Sequence, residues 1–516
     1  MTSKKRILLN VVVTYGRSLY ALLIGLFSAR WALQALGQVD YGLYGLVGGL
    51  GGLVSFINTI LSIAVSRFYA VSVGEAKRCG NQESGLEECR RWFNTAFLIH
   101  TILPLILVLG CYPIGEWAIH KFLTIPSDRV CACLWVWRFS LVSCFIGMFS
   151  VPFSAMYTAK QEIAELTLFS FFTTTFNAIF LYYIASHPGV WLVKYATGVC
   201  LFSAIPQLAI VLRAMIVYPE CRIVRDYMYD AGRIVKLLKF ALARFWSDFS
   251  VMISNQGKAL LVNKYMGPTY NASMAIGNAV AAQVSTLATS FSGALSPVIS
   301  NLYGEGKIGE MKEYSHMACR LGAVFMLLFS IPASLEINNL LRLWLVDPPE
   351  FVGAICVAVL FRNVMERMTD GYWMAIYSVG NQVMRYSWAV GWASVSVVIV
   401  SFCCFFMGLG MWSVVIGLIV SKILMVLVRL YYGKELVGFN VAYWVWKVFL
   451  PIMCACVLCC IPGGVLCGIL RPTFLRLVFT TISTEVVFLP LVWWVVFEKR
   501  ERDWVVLKIK ILLHRD

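Results

Sequence analysis

The chain has 516 residues, of which 60% are hydrophobic and only 14% are charged. Soluble domains carry about 25% charged residues, so this composition excludes a water-soluble fold. The formal net charge of +16 does not indicate a nucleic-acid partner, because the basic residues lie beside long apolar runs rather than in a separate basic domain.

Long apolar runs alternate with short polar loops along the whole chain. A bilayer core about 30 Å thick is crossed by about 20 apolar residues in a helix, so these runs predict an all-α polytopic membrane protein with about fourteen transmembrane helices. The first run is too long for a signal peptide, and we interpret it as a retained span. The predicted spans are 7–36, 43–71, 92–119, 130–157, 166–186, 190–216, 240–263, 272–300, 318–343, 353–378, 386–408, 410–431, 447–469 and 473–497.

Lysine and arginine residues are distributed unevenly between the two sets of loops. If the spans alternate in direction, about 29 of the 43 basic residues fall on one side, including Lys422 and Arg429. The positive-inside rule predicts that this side is cytoplasmic, and both termini then lie on it.

One long polar connection, 217–239, joins the sixth and seventh spans. It places apolar residues at helical spacing, with basic residues at the positions between them. The apolar positions are Ile223, Tyr227, Ala231, Ile234 and Leu238. This pattern predicts a cytoplasmic amphipathic helix that lies on anionic membrane lipids, with a solvated linker helix as the alternative.

An internal repeat relates the second span to the eighth. Ser55 matches Ser285, and the same offset of 230 residues maps Gly37 onto Gly267. The matched hydroxyl rows are Ser55, Thr59, Ser62 and Ser66 in the second span and Ser285, Thr289, Ser292 and Ser296 in the eighth. An even number of spans separates the copies, so the repeats should be parallel and related by a pseudo-twofold axis along the membrane normal.

The repeat predicts the domain organisation. We expect an N-terminal lobe of six spans (1–216), the linker 217–239, a C-terminal lobe of six spans (240–431), two added spans within 432–497, and a basic cytoplasmic tail (498–516). Each hydroxyl row lies on one helical face, which in hydrocarbon should turn toward protein or water. We therefore expect spans one, two, seven and eight to line a shared central cavity.

Three segments resemble the polysaccharide exporters of the MOP superfamily. Residues 30–44 read Arg-Trp-Ala-Leu-Gln-Ala-Leu-Gly-Gln-Val-Asp-Tyr-Gly-Leu-Tyr, similar to the first loop of these exporters. Asn255-Gln256 with 262–267 resembles their seventh span and its exit, and 297–307 resembles the exit of their eighth span. Only Arg30, Asn255 and Gln256 stand in matching motifs at the level of single residues.

The resemblance implies a function as well as a fold. It implies a flippase that moves an isoprenoid-pyrophosphate-linked oligosaccharide, such as an O-antigen, capsule or exopolysaccharide unit, from the cytoplasmic to the periplasmic leaflet. The expected location is the bacterial inner membrane, and other polysaccharide-assembly membrane proteins are expected partners. Two lobes would expose a central cavity to each side in turn, without making or breaking a bond.

Charged residues inside spans are costly and tend to mark cavities or transport pathways. Arginine suits a pyrophosphate because its planar fork donates two parallel hydrogen bonds and stays charged. The alternative is a structural role, in which these cations pair with acids or carbonyl groups. The candidate substrate-binding residues are Arg17, Arg30, Arg67, Arg244, Lys258, Asn255 and Gln256.

Three acidic residues inside spans are candidates for ion coupling: Asp248, Glu366 and Asp370. A buried carboxylate could bind a coupling proton or sodium ion, and we expect no other cofactor or metal. The alternative for the tenth span is an intrahelical network that pairs Arg362 with Glu366 and Arg367 with Asp370. We favour this alternative.

Two other functions compete with the flippase. A cation-coupled multidrug antiporter of the same superfamily would typically keep a carboxylate in the first span or a comparable lobe position, and the first span here carries Arg17 and no acid. A membrane-embedded polysaccharide polymerase or ligase usually bears its catalytic residues on a long periplasmic loop, whereas every predicted outward loop is short. The chain is therefore predicted to be a transporter rather than an enzyme.

Overall fold

The computed structural model describes residues 3–79, 82–160, 162–187, 189–345, 347–379, 383–499 and 501–503. Contacts within the chain divide it into two units, unit 1 (Met1–Ala275) and unit 2 (Ile276–Asp516). Within the described ranges every regular element is a helix.

The helices follow the predicted spans. In unit 1 they are α1 (Ser3–Cys79), α2 (Gln82–Trp117), α3 (Val130–Phe149), α4 (Val151–Ala159), α5 (Ile163–Ala185), α6 (Leu192–Val217) and α7 (Ala231–Met266). Helix α8 (Pro268–Gly304) begins in unit 1 and continues into unit 2. Unit 2 continues with α9 (Ile308–Leu335), α10 (Ile337–Trp344), α11 (Val352–Arg367), α12 (Asp370–Val379), α13 (Val383–Phe406), α14 (Trp412–Tyr432), α15 (Val441–Trp444), α16 (Leu450–Ile469) and α17 (Phe474–Leu491).

The predicted fold class is confirmed. All fourteen predicted spans are helical, and α1 holds the first two of them in one element. Among the described residues, 9 helices are long and apolar enough to cross a bilayer on their own. The division into lobes at 217–239 remains a prediction, since the contacts divide the chain at residue 275 instead.

Two glycines of the predicted repeat hold the same backbone conformation. Gly37 breaks α1 with φ 71°, and Gly267 ends α7 with φ 91°. Residues with a Cβ rarely adopt these positive φ values, so glycine is the natural residue at both positions. The shared conformation, before the second span and again before the eighth, supports the repeat deduced from the sequence.

Unit 1 packs around α1, which contacts α2, α3, α4, α5 and α7. Its core includes Leu43, Leu46 and Val47 of α1 against Val136 and Trp137 of α3. In unit 2, α9 packs against α11, α12 and α16. The two added spans are thus built into the core of unit 2 rather than set apart from it.

The connection 217–239 differs from the predicted single amphipathic helix. Its last part is α-helical, since α7 begins at Ala231, and Asp230 caps α7 by accepting the Arg233 backbone N–H at 3.0 Å. The part before it contains only two single 3-10 turns, Pro219–Cys221 and Arg225–Tyr227. This hydrogen bond lowers the pKa of the Asp230 carboxyl. Upstream, the buried Asn94 of α2 donates to the Arg222 carbonyl and accepts the Val224 amide. These bonds hold the backbone extended, which explains why helical spacing alone gave the wrong prediction. Most of the predicted basic tail, 504–516, lies outside the described residues.

Helix α12 approaches α9 so closely at Gly371 that a Cβ there would overlap the Ser315 backbone carbonyl. We therefore expect Gly371→Ala to push these helices apart and to destabilise unit 2 by about 1–3 kcal/mol or more. The melting temperature of the purified protein in detergent measures this loss. Gly110→Ala is the matched control, because a Cβ there meets nothing within 4 Å. An unchanged melting temperature for Gly371→Ala would contradict the observed contact.

Candidate functional site: cations of unit 1 and the charge cluster of unit 2

Among the candidate substrate-binding residues whose side chains the structure describes, Lys258 is the most deeply buried, with 1% of its surface exposed. It lies on α7, and its Nζ donates to the Asn255 Oδ1 one turn earlier, at 3.5 Å. A buried ammonium group is costly unless it is compensated, so Lys258 remains the candidate cation to test first.

The structure describes the other candidate cations less completely than Lys258. Arg17 is exposed and Arg30 is half-buried. The side chains of Arg67 and Arg244 lie outside the described part of the structure. The predicted cationic surface therefore remains a prediction, with Lys258 as its best-defined member.

Gln256 brings the second and seventh spans together within unit 1. Its Oε1 lies 2.6 Å from the position that a Cβ would take at Gly49 of α1. Asn255, its neighbour in the resembling motif, is exposed, and Asp248 is half-buried on the same helix. The contact agrees with the prediction that spans two and seven are neighbours.

The hydroxyl rows are only partly described. Ser62, Ser66 and Ser296 are half-buried. The side chains of Ser55, Thr59, Ser285, Thr289 and Ser292 lie outside the described residues. That these rows line a cavity stays a prediction.

Two residues of the motif at 30–44 make contacts between helices that the family resemblance did not predict. Asp40 is buried and pairs with Arg129, just before α3, at 2.9 Å. Gly42 lies so close to the start of α8 that a Cβ would overlap the Pro268 carbonyl. These two motif residues therefore connect helix ends, which accounts for an acidic residue and a glycine at these positions.

Unit 2 contains a buried charge cluster that joins α11 and α12 to α14. Lys422 Nζ donates to Glu366 Oε2 at 2.8 Å, and Arg429 Nη2 lies 3.5 Å from Glu366 Oε1. Arg429 Nη1 donates to Asp370 Oδ1 at 3.3 Å, to Thr369 Oγ1 at 3.1 Å and to the Glu366 carbonyl at 3.2 Å. Arg367 pairs with the other Asp370 oxygen at 2.5 Å. Glu366 thus contacts two cations of α14, whereas Asp370 contacts one cation of α14 and Arg367, which lies one turn earlier.

The cluster agrees with the predicted intrahelical network only in part. The Arg367–Asp370 pair is present as predicted. Glu366, however, pairs with Lys422 and Arg429 rather than with Arg362 among the described contacts. The two cations of α14 lie seven residues apart and therefore on one face of that helix. This face contacts both acids, so the acids pair between helices as well as within their own.

Sequence reasoning did not select Lys422 and Arg429 as site residues. Loop counting grouped them with the cytoplasmic cations, which stays a prediction, and the structure buries both within α14, with 8% and 6% of their surfaces exposed. Their spacing within the apolar run 412–432 was the available signal, because seven residues make two helical turns. Since Glu366 and Asp370 already have internal counter-charges, their predicted role in ion coupling remains a hypothesis without support from this geometry.

Comparisons with known proteins concern the family and the fold. A model of the MatE family matches residues 247–411. No curated protein sequence matches the chain significantly. The structure is similar to the lipid II flippase MurJ in an inward closed conformation, with a TM-score of 0.68 and 13% identity, over 94% of this chain and 98% of that chain.

Two MATE structures are also similar. One is an inward-facing multidrug resistance MATE family transporter of the MOP superfamily, with a TM-score of 0.61 and 14% identity, over 82% of this chain and 94% of that chain. The other is the eukaryotic MATE transporter AtDTX14, with a TM-score of 0.56 and 13% identity, over 86% of this chain and 100% of that chain. The chain is therefore a polytopic α-helical membrane protein with the fold of the MOP-superfamily transporters.

Proposed function

We propose that the protein is a flippase for an isoprenoid-pyrophosphate-linked oligosaccharide, which it moves out of the cytoplasmic leaflet of a bacterial inner membrane. The two lobes would open a central cavity to each side in turn while the isoprenoid tail stays in lipid. The proposal includes cytoplasmic termini, contacts with anionic lipids and, as partners, other membrane proteins of polysaccharide assembly.

The charge balance of four spans carries the proposal. Spans one, two, seven and eight contain five cations and one acid: Arg17, Arg30, Arg67, Arg244 and Lys258 against Asp248. A cavity lined by such spans would attract an anionic pyrophosphate and repel a cationic drug. The burial of Lys258 on α7 supports the proposal, because a cation retained inside an apolar span tends to mark a transport pathway.

The extent of the structural similarity is compatible with this proposal. The MurJ fold covers 94% of this chain, whereas the MATE folds cover 82% and 86%. A multidrug antiporter is the second candidate, favoured by the MatE match at residues 247–411. The flippase and the multidrug transporters share this fold, so only the transported substrate distinguishes the two candidate functions.

Proteoliposomes containing the purified protein test the proposal. We expect them to translocate a fluorescent polyprenyl-pyrophosphate-linked N-acetylhexosamine, detected as label that becomes accessible to a membrane-impermeant quencher. Protein-free liposomes give the background rate. Transport of ethidium against an imposed proton or sodium gradient, together with no movement of the sugar lipid, would replace the flippase by the antiporter.

A further inference from the structure

Unit 1 has a partly open cavity of about 550 Å³ between the second half of α1, α3 and α6. Ligand-binding cavities in proteins commonly measure about 300–1,000 Å³, so this space could hold a small molecule or part of a larger one. All of the residues that line it belong to unit 1.

Small residues create this space. The α1 side of the cavity is formed by Gly45, Gly48, Gly49 and Gly51, and the facing α3 residues include Ser140. Three of the four glycines have close neighbours: a Cβ would lie 2.6 Å from Gln256 Oε1 at Gly49, 3.1 Å from Ser140 Cβ at Gly51 and 3.4 Å from Ala275 Cβ at Gly45. Gly48 has none as close, because its Cβ would meet only Ser140 Oγ, at 3.9 Å. A larger side chain at Gly48 would therefore extend into the cavity without a clash at its Cβ.

The cavity wall is polar but uncharged. Asn58 of α1, Ser140 and Ser143 of α3, and Ser203 and Gln207 of α6 line it, and the described lining contains no acidic or basic side chain. The Asn58 Oδ1 is buried and has no hydrogen-bond partner among the described residues. Such a group is costly to bury without a partner, and a polar molecule in the cavity would supply one.

Aromatic rings complete the wall. Tyr44 and Phe139 both line the cavity, and the Tyr44 ring packs against Tyr195 with their centroids 4.6 Å apart. A ring fixed in this way offers a flat apolar surface beside the neutral hydrogen-bonding groups. Hydroxyl-rich rings with apolar faces match this combination better than ions or hydrocarbon chains do.

The internal repeat provides a comparison within the same chain. At the offset of 230 residues, Gly45, Gly49 and Gly51 correspond to Ala275, Ala279 and Ala281. Asn58 corresponds to Ala288. The glycine face is therefore not a requirement of the repeated helix itself, and it distinguishes unit 1 from unit 2.

We propose that this cavity binds a neutral sugar residue of the transported lipid, separately from the cations that would bind its pyrophosphate. The inference rests on the proposed function. It adds a binding site for the sugar, which is the part of the substrate that would determine specificity. A phosphate would lack a cation in the described lining, a cationic drug would lack a carboxylate, and an acyl chain would leave the amide and hydroxyl groups unpaired.

A binding experiment with two probes tests the inference. The full-length protein in lipid nanodiscs is titrated with polyprenyl-pyrophosphate-linked N-acetylhexosamine and with polyprenyl pyrophosphate that lacks the sugar. We expect the sugar-bearing probe to bind at least 10-fold more tightly to the unmodified protein. Gly48→Leu places a side chain in the cavity and should abolish this difference while leaving the affinity for polyprenyl pyrophosphate unchanged.

Two further variants make the result specific. Asn58→Leu with Gln207→Leu removes hydrogen-bonding groups at similar volume and should also reduce the preference for the sugar-bearing probe. Gly110→Leu is the matched control in unit 1, because its Cβ meets nothing within 4 Å, and it should keep the full preference. Melting temperatures show whether each variant is folded.

The outcomes separate the two proposals. If both probes bind equally to the unmodified protein, or if Gly48→Leu and the double variant keep the preference while folded, the sugar site is wrong but the flippase stands. If neither probe binds, the proposed function fails as well, and the sugar site fails with it.

Discussion

A protein with both Arg17→Ala and Lys258→Ala should lose translocation of the pyrophosphate-linked probe by about 100-fold or more. A hydrogen bond to a charged group contributes about 1.5–3 kcal/mol, and each 1.4 kcal/mol is a factor of ten. Two such groups removed together would therefore account for a loss of this size. The proteoliposome quenching assay measures it.

Two controls separate loss of function from loss of folding. Lys258→Arg keeps the positive charge and should retain more transport than Lys258→Ala. Lys121→Ala removes an exposed cation of unit 1 and should transport at the normal rate. Normal translocation by the double variant, in protein that is correctly inserted and monodisperse, would exclude Arg17 and Lys258 from substrate binding.

Replacement of Arg429 by methionine should destabilise unit 2 by about 3–5 kcal/mol, the usual cost of removing one member of a buried ion pair. Arg429 contacts Glu366, Thr369 and Asp370. Its loss would remove one cation from each acid, while Glu366 would keep its pair with Lys422 and Asp370 its pair with Arg367. We expect a large fall in melting temperature and a low yield of folded protein.

A charge-balanced replacement provides the comparison. Glu366→Gln with Lys422→Met removes one acid and its cation together, so it leaves no new unpaired charge and should be much less destabilising. Arg471→Met removes an exposed arginine and should leave the melting temperature unchanged. If Arg429→Met is as stable as Arg471→Met, the cluster does not hold α11 and α14 together.

The same charge-balanced protein also addresses ion coupling. Because Glu366 has internal counter-charges, we expect its replacement to leave any sodium or proton dependence of transport as it is in the unmodified protein. A lost dependence in a folded double variant would instead support the coupling role first considered for Glu366.

Hydrophobicity predicted the helices, because each apolar run consists of residues close together in the sequence, and the repeat could be found by comparing the sequence with itself. Apolar runs located the helices, and the offset of 230 residues led to Gly37 and Gly267. The charge cluster could not be predicted in this way. Glu366 meets Lys422 and Arg429 across 56 and 63 residues, and only packing decides which helices bring them together.

The candidate site shows the same limit. Lys258 was selected because a charge within an apolar span is unusual, and the structure does bury it. The neutral cavity of unit 1 was not predicted, because glycine, serine and asparagine side chains give no sign in sequence of the space they enclose. The connection 217–239 was misjudged for a related reason, since a single buried side chain, Asn94, fixes its backbone.

Gly37 and Gly267 both have positive φ angles, a backbone conformation that suits D-amino acids and that L-residues rarely adopt. An L-residue at either point would be strained by about 1–3 kcal/mol, because this region of backbone conformation is essentially restricted to glycine. Both junctions use the achiral residue, although aligned positions elsewhere in the two segments differ, as Gly45 and Ala275 do. The same stereochemical constraint therefore acts twice in this polypeptide, each time just before a long helix.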